Sequence, residues 1–177
     1  MKRSEIIRFI NGLNGTEASR VLTVLLDDGT VSAKKMYEAA IKIAANVDID
    51  MVSKRVFNAL NWLDYDDLNA RAGKTRYGYV EPSDAAWELF EEALDPFVNE
   101  MKKCQQRTLP SAAKDYCIGI IKGLWRYQEE SSSEICDWFE DELGAFVERV
   151  VDEWKEGNPD EEDIVEVMSV ANRTDKS

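Results

Sequence analysis

Apolar residues recur at three- and four-residue intervals through most of this chain, and Asp48–Val80 is the stretch where that rhythm is interrupted. Val52, Val56, Leu60 and Leu63 are spaced for one buried helix face, with Lys54, Arg55 and Asn58 on the other side. Two short strand candidates follow, Tyr65–Ala70 and Thr75–Val80, around the turn Ala72-Gly73-Lys74. Arg71 and Arg76 bracket that turn, so the hairpin is positively charged. A helix followed by a basic hairpin has the shape and charge to enter a nucleic-acid groove. Gly73-Lys74-Thr75 also looks like the end of a phosphate-binding loop. That motif needs a glycine five residues earlier, and Leu68 stands there.

Charge is divided unevenly along the chain. The total is −13, but residues 1–80 hold 12 Lys/Arg against 10 Asp/Glu, whereas residues 81–177 hold 10 against 25. The first part is therefore +2 and the second −15. Phosphate is repelled by the whole and attracted by the part, because screening limits repulsion to about 8–10 Å at physiological salt. The chain has no histidine, which removes Ser-His and Cys-His nucleophile systems and histidine-based metal sites. Cys104, Cys117 and Cys136 are odd in number and far apart, which suits buried thiols better than a disulfide framework or a zinc site. Neither an enzyme nor a bound metal or cofactor is expected.

Helical spacing covers the flanks. Ser4–Leu13 is a short amphipathic helix, Thr16 is a candidate cap for the next, and Ser32 for a third that carries Lys34 and Lys35 outward. From Asp84 to about Lys103, Trp87, Phe90, Leu94, Phe97, Met101 and Cys104 form a heptad seam interrupted by Pro96. A dimer interface through Trp87, Phe90, Leu94, Phe97 and Met101 is one use of that seam, and packing within the chain is the other. Another helix is expected over Thr108–Tyr127. A further one starts at a Ser131/Glu134 capping box and runs to about Glu156, and the last is opened by Asn158-Pro159-Asp160-Glu161. Trp125, Tyr127, Trp138, Phe139, Phe146 and Trp154 serve either a core or an effector pocket. Asp137, Glu140, Asp141, Glu142 and residues 160–163 read as solvated helix faces. No apolar run approaches the roughly 18 residues of a membrane span, and Met1-Lys2-Arg3-Ser4-Glu5 does not open a signal peptide, so a cytoplasmic protein without membrane contact is expected.

Residues 16–94 resemble the winged helix-turn-helix domain of bacterial and archaeal transcription regulators of the PadR-like and MarR-like kind. VLTVLLDDGTVSAKKMYEAA corresponds to the first two helices, VSKRVFNALNWL to the recognition helix, and RAGKTRYGYVEPSDAAWELFEEAL to wing and exit helix. The resemblance implies a mainly α protein with a winged helix-turn-helix domain over 1–82. An acidic helical dimerisation and effector domain would follow over 83–171, with a disordered tail over 172–177. It implies a dimeric DNA-binding regulator in which Ser53, Lys54, Arg55 and Asn58 face the major groove of double-stranded DNA. Arg71, Lys74 and Arg76 would reach phosphates from the wing, with Lys34 and Lys35 beside them. A homodimer with a small-molecule or protein effector at the C-terminal helices completes that picture. The competing reading is a protein-interaction adaptor that uses the same scaffold and an acidic helical surface.

Overall fold

The computed structural model describes residues 2–76, 78–133, 135–136 and 142–172, with the backbone alone at Thr75. It is mainly α-helical with one small antiparallel hairpin, as the periodicity predicts. The chain divides into two units, residues 1–43 and 44–177. The expected boundary at residue 82 falls inside the second.

The first unit holds α1 (Arg3–Asn11), α2 (Gly15–Asp27) and nearly all of α3 (Ala33–Ala44). Asn14, and not Thr16, caps α2. Its side chain accepts from the Thr16 and Glu17 amides at 3.0 Å, and Glu17 accepts the Asn14 amide in return at 2.9 Å. None of the three helices has a buried side chain.

The second unit is built on α7. Its members are α4 (Ile49–Asn61), α5 (Tyr65–Arg71), β1 (Gly73–Thr75), β2 (Gly78–Val80), α6 (Pro82–Gln106), α7 (Pro110–Glu130), α8 (Leu143–Lys155) and α9 (Glu161–Ala171). α4, α6, α8 and α9 all pack against α7. Asp48 caps α4 by accepting the Met51 amide at 2.9 Å, and Val52, Val56 and Leu60 are buried as their spacing requires. Those side chains are received by α7 at Gly119 and Gly123. A Cβ on Gly119 would lie 2.7 Å from Val52, and one on Gly123 would lie 2.6 Å from Val56 and 2.9 Å from the Ser53 carbonyl oxygen. The two helices approach so closely that only hydrogen fits between them.

Two expectations are corrected here. The first strand candidate, Tyr65–Ala70, is instead α5. Asp64 caps it through the Asp67 amide at 3.0 Å, Asp66 and Asp67 favour the positive helix start, and Leu68 is buried. Gly73 and Lys74, expected in the hairpin turn, stand instead in β1. Its register pairs Gly73 with Val80, Lys74 with Tyr79 and Thr75 with Gly78. Ser131 ends α7, where its hydroxyl donates to Asn61 Oδ1 at 2.8 Å and accepts the Ser133 amide at 3.1 Å; the expected Ser131/Glu134 capping box and the start of the helix it opens fall outside the described residues. Glu134, Tyr77, Asp137, Trp138, Phe139, Glu140, Asp141 and the tail 173–177 lie outside the described residues.

The heptad seam is used inside the chain. Phe90, Leu94, Phe97 and Met101 are buried and Trp87 is half-buried. Trp87 stacks on Phe146 of α8 at 4.1 Å, and Phe90 meets Phe146 at 4.5 Å and Tyr127 of α7 at 5.6 Å. Four of the five residues offered for a dimer interface are thus buried within the single chain, where α4, α5, α7 and α8 pack around α6. α6 continues as one helix through Pro96.

Candidate nucleic-acid interface

The α4–α7 clasp decides which side of α4 meets solvent. Lys54, Arg55 and Asn58 are exposed on the side away from α7. Ser53 was expected among them but is only 8% exposed, since its carbonyl lies against Gly123. Arg55 holds its guanidinium 5.4 Å from the Phe97 ring centre, a cation–π contact that leaves the charge at the surface. Asp50, on the first turn of α4, is 3.9 Å from Lys122 of α7.

Behind α5 the hairpin is held by one ion pair. Both guanidinium nitrogens of Arg71 donate to Glu92 of α6, at 2.8 and 2.7 Å. That bond lowers the Glu92 carboxyl pKa and raises that of Arg71. Arg71, expected to reach phosphate, thus fastens the hairpin base to α6. Lys74 and Arg76 are exposed. Lys74 and Tyr79 are cross-strand partners, so their side chains leave the same face of the hairpin, with Tyr79 66% exposed.

Among the described residues, unpaired cations are unevenly distributed in this acidic unit. After the hairpin, every described Lys and Arg except Arg107 lies within 3.9 Å of a carboxylate. Lys114 is the most heavily engaged. It bonds Asp163 at 2.8 Å and Glu166 at 2.7 Å, and its pKa is pushed up by those two bonds. Lys102 and Arg149 both reach Glu153, and Arg149 also bonds Glu91. By contrast Lys54, Arg55, Lys74 and Arg76 have no carboxylate of the described residues within salt-bridge reach. Lys34 and Lys35 belong to the first unit, where both are exposed and Lys34 lies 3.9 Å from Glu38.

The remaining chemistry is unremarkable in kind. Burial pushes the Cys117 thiol up to about 12 and raises that of Cys104, so neither is a thiolate at neutral pH. No group of three or more potential ligands among the described residues could hold a metal ion. Tyr127, Phe146 and Trp154 are core residues, whereas Trp125 borders a cleft of about 420 Å³ with Val147, Val151 and Met168. Its indole N–H donates to the Val170 carbonyl at 3.2 Å.

Sequence reasoning missed two residues. Trp62, at the end of α4, is 82% exposed beside a cleft of about 240 Å³ that includes Tyr65 and Ser133. Tyr79 is the other. The spacing of 52, 56 and 60 continues to Leu63, and the 82% exposure of its neighbour Trp62 marks this end of α4 as distinct. No family model, curated protein or solved structure matches this chain.

Proposed function

We propose that this protein is a DNA-binding transcriptional regulator, with α4, α5, the hairpin and α6 acting as a winged helix. The observation carrying the reading is the set of cations left without carboxylates. In a unit of net charge −15, three of them are Lys54 on α4 and Lys74 and Arg76 on the adjoining hairpin. Lys74 and Arg76 would anchor phosphates from the wing, and Lys54, Arg55 and Asn58 would approach bases from the helix. Arg71 contributes by holding the wing through Glu92.

Fluorescence anisotropy on labelled duplexes across a salt series tests this. Wild type should bind with log K falling by about 0.9 per phosphate contact for each decade of salt. Lys74→Glu/Arg76→Glu should flatten that slope by roughly two contacts, and Lys54→Glu by roughly one. Absence of salt-dependent binding at low salt would sink the proposal.

Trp62 favours a second reading, a protein-interaction adaptor, since a bare indole beside a cleft is the usual anchor of a protein contact. In that case Trp62→Ala abolishes capture of the partner and the cation reversals leave it intact.

A further inference from the structure

Within residues 44–177, the exposed aromatic rings among the described residues are Trp62, Tyr65 and Tyr79. All three fall in the stretch that ends on Lys74 and Arg76, and every other described ring of this unit is buried or half-buried. The hairpin sorts its side chains by face. Lys74 and Tyr79 are cross-strand partners and leave one face together, whereas Val80, half-buried, points to the other. Gly73 precedes Lys74 and Gly78 precedes Tyr79, with φ of +97° and +141° that a side chain would strain. An added Cβ at either glycine would meet nothing within 4 Å, so open backbone lies beside each member of the pair. Arg71, fastened to Glu92 of α6, holds the base of this ribbon.

A closed duplex leaves the Tyr79 ring without a use. Phosphates need only Lys74 and Arg76, and paired bases show their edges in the grooves while their faces stay stacked on one another. An unpaired nucleotide uses both members of the pair: its base stacks on the ring and its phosphate meets the ammonium. We infer, on the nucleic-acid reading above, that the Lys74–Tyr79 face of the hairpin holds an unpaired nucleotide, so that the substrate is DNA with a single-stranded segment beside a duplex. Charge favours the same substrate. Residues 44–177 carry −15, from 15 Lys/Arg and 30 Asp/Glu. A single strand is the less densely charged polyanion, so an acidic unit repels it less than it repels a duplex.

Anisotropy on the full chain, comparing a blunt labelled duplex with the same duplex bearing a short single-stranded arm, tests this apart from the duplex reading. Wild type should bind the armed duplex about 5- to 140-fold more tightly, the range that one base–aromatic stack supplies. Tyr79→Phe should keep that preference, because the ring and not the hydroxyl makes the stack. Tyr79→Thr, which leaves a β-forming residue in β2, should bring the armed duplex down to the blunt one with blunt binding unchanged. Equal wild-type binding of the two substrates overturns the inference and leaves the duplex reading standing. Binding of the armed duplex alone does the reverse. A preference that survives Tyr79→Thr overturns the inference, as does an equal loss on both substrates, because the ring would then serve only the hairpin's own packing. Absence of salt-dependent binding to either substrate overturns both.

Discussion

α1–α3 and α4–α9 are written in the same alphabet of amphipathic helices, yet only the second set has a buried core. In α4 the stripe Val52, Val56 and Leu60 is 0–3% exposed, because Gly119 and Gly123 open a slot on α7 to receive it. In α1 and α2 no side chain is buried, and Phe9, Ile10 and Leu22 stay open. Amphipathic spacing states that a face is to be covered. The receiving surface states by what.

The contrast is broken most directly by aromatic truncation in each unit. Phe90 is fully buried between Tyr127 and Phe146, so Phe90→Ala should cost about 3–5 kcal/mol in urea unfolding of the α4–α9 unit. Phe9 is 71% exposed, and Phe9→Ala should leave that transition within about 0.5 kcal/mol. Equal losses from the two would erase the distinction between the units.

Glycine substitutions probe the slot itself. Gly123→Ala forces a methyl against Val56 and the Ser53 carbonyl, and about 1–3 kcal/mol of destabilisation is expected from overpacking. Gly144, early in α8, has nothing within 4 Å of an added Cβ, so Gly144→Ala should stabilise by up to about 1 kcal/mol. Thermal melts of the two variants shifting in the same direction would argue against a tight α4–α7 contact.

The smallest effect is electrostatic. Burial works against the Glu153 charge, but hydrogen bonds from Lys102 and Arg149 outweigh it and hold the carboxyl below its ordinary 4.5. A depressed folded value gives stability that is present above the ordinary pKa and lost as pH falls through the folded one. Stability measured from pH 6 downward should therefore fall less steeply in Glu153→Gln than in wild type. Matching slopes would remove this pair from the account of how α6 and α8 are joined.

Much of the fold is legible in the chain because it is local. The Asp48 cap, the 52/56/60 stripe and the proline start of α7 depend on neighbours within one helical turn; α6, expected from Asp84 behind a Ser83 cap, starts instead at Pro82 with Glu81 as its cap. Tyr65–Ala70 misled because its β-forming tyrosine competes with a cap, Asp64, and two first-turn acids, and the cap prevailed. The candidate site was legible by residue type and not by partner. Lys54, Lys74 and Arg76 could be recognised as cations from the sequence. That Arg71 is tied to Glu92, 21 residues away, and that Ser53 faces Gly123 could not.

The sequence by itself determined that this chain is helical, acidic in its second part, interrupted by a hairpin, and free of histidine chemistry. Each of those follows from composition or from spacing within a turn or two. Tertiary structure decided that the α6 seam is a core, that α4 shows only one side, and which cations keep their charge unmatched. Those outcomes depend on close approaches between segments far apart in the chain, where a missing methyl at Gly119 or a carboxylate at Glu92 decides what a side chain can do.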